Sequence, residues 1–229
     1  MLTVLVCIAS VHSFTPSTPT LPKMAAFDTA VPTVDISPFT APEQHDDDAR
    51  RAVGKEWDAA MTNVGFAVIV GHGVNPSIVD ALRQGAHSFF SGPADAKQKY
   101  CYGPYGNPLG GFTAMGIEAV ARSRDDHGSD GGATQTTALP DLVESFVFKP
   151  EETTKPKPPS MDDAGHAYHA ALLKVLDALH RVTAAALGLE EDFFAPFYAP
   201  AAKCSLRLAY YPPLSTTQQT SSAVRYGAH

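Results

Sequence analysis

The residues best equipped for chemistry in this 229-residue chain are nine histidines. His166 and His169 stand three apart on a predicted helix, which puts both imidazoles on one face. No H-E-x-x-H pattern supplies a carboxylate beside them, so they read as solvated surface histidines. His180 borders an apolar stripe and reads as a packed, hydrogen-bonded side chain. His72 lies between Gly71 and Gly73 in the turn after a run that reads as a buried strand; a structural bond to backbone is the reading preferred over catalysis. His12 lies near the N-terminus, and His45 and His127 lie in polar stretches. His229 is the last residue, and its spacing alone assigns it nothing. Asp46, Asp47 and Asp48 read as the first turn of a helix, where the dipole favours negative charge, and not as a metal site. The cysteines are Cys7, Cys101 and Cys204. An odd number without C-x-x-C argues against a disulfide framework and against a cysteine zinc site. There is no G-x-G-x-x-G, no phosphate loop and no G-x-S-x-G elbow, so nucleotide binding and serine hydrolysis have no support.

The elements that must position these side chains follow from periodicity. Val31–Ile36 alternates as a strand, with Pro32 near its beginning or at an edge. Asp46–Met61 repeats Val53, Trp57 and Met61 at helical spacing. Gly65–Val70 is an apolar, β-branched strand ending in Gly71-His72-Gly73. Asn75-Pro76 opens a second helix with Asn as N-cap and Pro at the first helical position, and Gly92-Pro93 stops it. Ala94–Tyr100 is a short helix and Cys101–Gly116 an ordered loop. Arg122–Ala138 reads as a mobile polar stretch, and Glu144–Phe148 as a strand. Lys149–Ser160, with four prolines, is a linker. Asp162–Leu187 is the clearest helix, closed by Gly188. Phe193–Tyr198 is a short aromatic helix or turn, Cys204–Tyr211 a strand, Ser215–Ser222 a polar loop, and Val224–His229 the start of another strand.

Composition narrows the partners. A net charge of −7 without a basic block argues against non-specific nucleic-acid binding. The longest uncharged apolar run, Met1–Ser13, falls short of the roughly 20 residues that span a bilayer. Residues 1–22 carry no Lys, Arg, Asp or Glu. An apolar Leu2–Ala9 core, small residues before Phe14 and the Ser/Thr/Pro stretch beyond it resemble the two-part plastid leaders of algae with secondary plastids. The expectation is plastid import through such a leader, or a cytoplasmic protein if translation starts at Met24.

Several segments together resemble the plant-type iron(II)- and 2-oxoglutarate-dependent dioxygenases, the group that includes isopenicillin N synthase. Val31-Pro32-Thr33-Val34-Asp35-Ile36-Ser37 resembles their opening strand, and Gly65 to Val74 their second signature. Phe89-Phe90 with Pro93 and Lys97 resembles the end of their following helix. Gly110-Gly111-Phe112 with Gly116 and Glu118 resembles a Gly-Tyr loop in which Phe replaces Tyr. Pro140-Asp141-Leu142-Val143-Glu144-Ser145-Phe146 is similar to PD-x-x-E-x-F, Leu208 to Pro213 to N-Y-Y-P-P, and Gly227-Ala228-His229 to the start of G-A-H-T-D.

The resemblance implies an α+β fold. An N-terminal non-haem dioxygenase region (31–150) would pack on an incomplete double-stranded β-helix, or jelly roll. Residues 1–30 would be leader or tail, 151–160 linker, and 161–229 a long helix with the first jelly-roll strands. The resemblance also implies iron(II), 2-oxoglutarate as cosubstrate and ascorbate as accessory reductant, acting on a small organic molecule with O₂. Two histidines and a carboxylate would hold the metal and leave positions open for the oxo acid and O₂. His229 would be the first ligand. The Asp expected at 231 and the distal His and Arg-x-Ser beyond it are not among the 229 residues, so these residues alone are expected to be an inactive fragment with no catalytic residue of their own. Tyr211 matches the tyrosine that helps hold the oxo acid, while Ala209 replaces the usual Asn. The function implied is hydroxylation or desaturation coupled to oxidative decarboxylation of 2-oxoglutarate. The alternatives are a non-catalytic binding or regulatory product, and an isopenicillin N synthase-like oxidase that does not use 2-oxoglutarate. Substrate and oligomeric state are not legible.

Overall fold

The computed structural model describes residues 31–104, 107–118, 141–198 and 204–213. The leader, the polar stretch Arg122–Ala138, the loop Ser215–Ser222, and Val224–His229 with its His229 all lie outside the described residues. The chain forms two compact units, one built from residues up to Val74 and from Ala171–Ala202, the other from Asn75–Ala170 and from Lys203 onward.

In the first unit, β1 (Thr33–Asp35) pairs in parallel with β2 (Val68–Val70), in register Val34 to Ile69. A parallel pair needs a crossover. α1 (Ser37–Thr40) and α2 (Asp47–Asn63) supply it. Asp46 is the N-cap of α2, its carboxylate accepting the Ala49 N–H at 2.8 Å, and Asp47 and Asp48 pair with Arg50 and Arg51 one turn on. The acidic triplet therefore serves helix initiation. Gly54 lies so close to Ala185 that a Cβ would stand 3.1 Å from the Ala185 carbonyl carbon. Arg50 and Arg181 donate to the carbonyls of Pro38 and Phe39 at 3.2 and 2.6 Å, and both pair with Glu191. Val34, Ile36 and Phe39 are fully buried.

The run containing β2 differs from its reading as a buried strand. Phe66 is 72% exposed, and Val68 and Val70 are also exposed. β2 pairs with β1 alone among the described strands, and one face of this two-stranded sheet stays open. The apolar run is real, but only the Ile69 side turns inward.

The second unit holds α3 (Pro76–Phe90), α4 (Ala94–Gln98) and an antiparallel sheet of β3 (Gly111–Thr113), β4 (Glu144–Phe148) and β5 (Leu206–Tyr210) in the order β3-β4-β5. Asn75 caps α3 by accepting the Ser77 N–H at 2.9 Å. β3 lies inside the segment read as a loop. Its three residues begin at the second glycine of Gly110-Gly111 and are too few to show alternation, and pairing with β4 defines it. Phe89 is the hub of the core, edge-to-face with Phe90, Tyr100, Phe112 and Phe146 at 5.2–5.7 Å. Such contacts add to the free energy of area burial. Residues 149–160, read as a linker, are tied within this unit. The Tyr102 hydroxyl donates to the Pro156 carbonyl, Ser160 donates to the Gly85 carbonyl at 3.0 Å, and Pro158 and Met161 are buried.

α5 (Asp162–Ala186) contributes its first residues, to Ala170, to the second unit and the remainder to the first. Gly188, with φ +67°, follows its end in the left-handed region expected of a C′ residue. α6 (Ala195–Tyr198) lies in the first unit. Among the described residues, no helix is long and apolar enough to cross a membrane.

Candidate functional site

Side chains two apart on a strand share a face. On β4, Glu144, Phe146 and Phe148 therefore point one way and Ser145 and Val147 the other. Register carries this division across the sheet: Phe112, Phe146 and Leu208 lie in one row, and Thr113, Ser145 and Ala209 in another. The first face is the aromatic core. Tyr210 belongs to it, stacked on Phe90 with centroids 5.2 Å apart and edge-on to His87. The second face is polar. It carries Thr113, Ser145, Val147, Arg207 and Ala209, and Tyr211 follows β5 directly.

Two ionic groupings anchor the sheet. On the core side, the Lys97 ammonium donates to both Glu144 oxygens at 2.9 and 2.7 Å and to the Phe90 carbonyl at 2.9 Å. On the polar side, the Glu118 carboxylate accepts the Ser145 hydroxyl on one oxygen and the Arg207 guanidinium at 2.5 Å on the other. Glu118 is only 2% exposed. Its carbonyl also accepts the Asp141 N–H at 2.8 Å, and Asp141 is fully buried. The motif residues Lys97, Glu118, Asp141 and Glu144, scattered along the sequence, thus converge on the surroundings of β4. Their geometry is that of structural staples.

Each candidate side chain from the sequence has a definite place. Tyr211, expected to help hold an oxo acid, follows β5 and is 40% exposed. His229 lies outside the described residues. His72 accepts the Val74 N–H on Nδ1 at 3.1 Å, a structural bond to backbone as expected. His166 meets Asp162 at 3.4 Å and the edge of the Phe148 ring at 5.1 Å, in keeping with a surface role. His169 departs from that reading: it is half-buried, with Nε2 3.0 Å from the Cys204 carbonyl. His180 packs on Phe194, and burial lowers its pKa from the ordinary 6.5 against the opposing pull of Asp177.

Among the described residues, no three His, Cys, Asp or Glu side chains are grouped to hold a metal. Tested on its donor set, the described part of the polar face carries the hydroxyls of Thr113 and Ser145, with Tyr211 directly after β5, and among the described residues no three-ligand set is grouped for iron. The Glu118–Arg207–Ser145 grouping was missed in the sequence. Its one signal was a charged residue amid Leu206-Arg207-Leu208, a strand that otherwise reads as apolar.

Comparison with known proteins bears directly on this arrangement. A family model described as the N-terminal part of "non-haem dioxygenase in morphine synthesis" matches residues 31–167. The 2-oxoglutarate-dependent dioxygenase citB of Monascus ruber is 29% identical over 204 residues, covering 80% of this chain and 56% of that protein. Jasmonate-induced oxygenase 2 of Arabidopsis thaliana is 30% identical over 200 residues, covering 85% and 49%. The chain spans about half the length of the curated relatives it matches. Among solved structures, a full-length Neurospora crassa protein in complex with α-ketoglutarate superposes with a TM-score of 0.61 at 19% identity, over 87% of this chain and 60% of that one. JOX2 in complex with 2-oxoglutarate, iron and JA gives 0.57 at 24% identity, over 81% and 49%. These likenesses show the fold, an α+β arrangement shared with jelly-roll oxygenases.

Proposed function

This chain belongs to the non-haem iron(II)- and 2-oxoglutarate-dependent dioxygenase family, and from that premise we propose that the protein couples oxidative decarboxylation of 2-oxoglutarate to hydroxylation or desaturation of a small organic molecule. The family match over residues 31–167 carries the reading. The polar sheet face, with Tyr211 exposed directly after β5, supports it. In this reading iron(II), when bound, supplies the O₂ and electron chemistry, and His229 is its first ligand. The contribution of the described residues is positional. The aromatic core fixes one face of the β3-β4-β5 sheet and leaves the other for polar contacts, and the Tyr211 hydroxyl donates to the oxo acid there. The domain reading is carried forward as part of the proposal, with residues 31–150 as the dioxygenase N-terminal region and 161–229 as long helix and first jelly-roll strands. Of the family's ligand positions the 229 residues contain one, His229, so we expect these residues by themselves to support no turnover.

The test is succinate formation from 2-oxoglutarate with iron(II) and ascorbate. A longer protein carrying His-x-Asp at 229–231 is expected to be active. In it, His229→Ala is expected to abolish iron binding and Tyr211→Phe to raise the KM for 2-oxoglutarate. One hydrogen bond is worth about 0.5–1.5 kcal/mol, so the rise is roughly 2- to 10-fold. Unchanged iron affinity in His229→Ala, or unchanged KM in Tyr211→Phe, overturns the corresponding assignment. Turnover by the 229 residues alone overturns the expectation that they are inactive.

A further inference from the structure

The Glu118–Arg207 pair needs an explanation that stability alone does not give. Removing a carboxylate and a guanidinium from water costs about as much as their attraction returns, and apolar residues of similar size often serve as well. The pair also sits on the polar face, while the opposite face of the same sheet is closed by aromatic packing. Both carboxylate oxygens of Glu118 are engaged. One holds Ser145 on β4 and the other Arg207 on β5, so a single side chain spans the two strands. Among the described strands, β5 pairs with β4 alone. No described strand holds its other edge, and Arg207 lies four residues before Tyr211.

We propose that Glu118 is a positioning residue for 2-oxoglutarate: it clamps Arg207, and through it β5, so that the Tyr211 hydroxyl is presented from the polar face. The proposal rests on the dioxygenase reading above and assigns Glu118 no contact with any ligand.

The experiment uses the active full-length protein. Hydrogen exchange of the 206–211 amides is read without ligand, and KM for 2-oxoglutarate and kcat are read separately. Glu118→Gln is expected to speed exchange in β5 at least 10-fold while β3 is unchanged. It should raise KM by roughly 5- to 20-fold with kcat within twofold. The double variant Glu118→Gln/Arg207→Gln removes both charges of the pair and still leaves β5 unclamped, so KM is expected to stay raised; a return to the wild-type KM overturns the clamp in favour of a charge effect. Ser145→Ala removes the bond by which Glu118 holds β4 and is expected to loosen β5 and raise KM by less than Glu118→Gln does. Arg207→Lys, which keeps the charge and withdraws the Nη2 that bonds Glu118, replaces Glu118→Gln if that variant does not fold, and is expected to raise KM likewise. Unchanged β5 exchange in these variants overturns the clamp. A fall of kcat in Glu118→Gln as large as the rise of KM overturns the positioning role in favour of a merely structural one. A wild-type protein that forms no succinate overturns the dioxygenase reading and the link to 2-oxoglutarate, and β5 exchange then decides the clamp by itself.

Discussion

Replacing Lys97 with Met removes the charge and keeps most of the stem. The magnitude follows from what Lys97 leaves behind. Its ammonium and the Glu144 carboxylate have side chains only 9% and 13% exposed, joined by two hydrogen bonds. Breaking a buried pair by removing one partner typically costs about 3–5 kcal/mol, because the other charge stays desolvated. The residual exposure of Glu144 favours the lower end, about 3 kcal/mol. The Phe90 carbonyl also loses the donor that Lys97 provides, for roughly another 1 kcal/mol. A loss near 4 kcal/mol is a large share of the 5–15 kcal/mol that typically holds a domain. Met continues to lie against the Phe112 ring, over which the ammonium sits at 5.6 Å, so little packing is lost. Urea denaturation followed by far-ultraviolet circular dichroism measures the change, with the slope checked for constancy. The double variant Lys97→Met/Glu144→Leu should recover at least about 2 kcal/mol, since no lone charge remains. A single variant losing under about 1 kcal/mol, or a double variant as unstable as the single, refutes the reasoning.

Two other perturbations separate backbone strain from electrostatics. Gly110 has φ +73°, and a Cβ there would meet the Val147 carbonyl oxygen at 2.5 Å, whereas Gly116 has φ +84° and open space around it. Gly110→Ala should therefore cost clearly more than Gly116→Ala, which carries only the left-handed strain of about 1–2 kcal/mol, and the two melting temperatures report the difference. His180 has its folded-state pKa lowered, chiefly by burial, with Asp177 opposing. The unfolded state thus binds the proton more readily, so the contribution of the neutral ring is complete above the ordinary value near 6.5 and is lost as pH falls below it. His180→Leu should flatten the stability profile across about pH 7 to 5, and an unchanged slope there would show that another group sets it.

Helices were the most legible elements, because their signals are local. Asn75-Pro76 and Asp46 mark helix starts by chemistry confined to one turn, and the structure shows those caps. The strands were legible as apolar runs, but their partners were not. Nothing within Val68–Val70 tells which face is covered, since that depends on what lies across the sheet. β3 is defined mainly by pairing with residues more than thirty positions away, in register Phe112 to Phe146, with a single bridge from Gly111 to Cys101. The Glu118–Arg207 bond joins residues 89 apart and leaves no periodic trace. Resemblance placed Lys97, Glu118 and Glu144 in motifs, and geometry then showed them bonding strands and helices to one another. Tyr211 was singled out through its motif, and it follows β5 directly.

The discontinuous make-up of the first unit bears on how the chain leaves the ribosome. Its N-terminal part is complete once Val74 has been made, yet the contacts that close it come from Ala171 onward. Arg181 reaches the Phe39 carbonyl across a separation of 142 residues, and Gly54 meets Ala185. At about 5–20 residues per second, synthesis of the intervening stretch of roughly a hundred residues takes on the order of 5–20 s. Throughout that interval Val34, Ile36, Phe39 and the open face of β2 emerge without their later neighbours. This is a window in which a holdase or an early-folding second unit, already supplied with α3, β3 and β4, would decide between productive folding and aggregation.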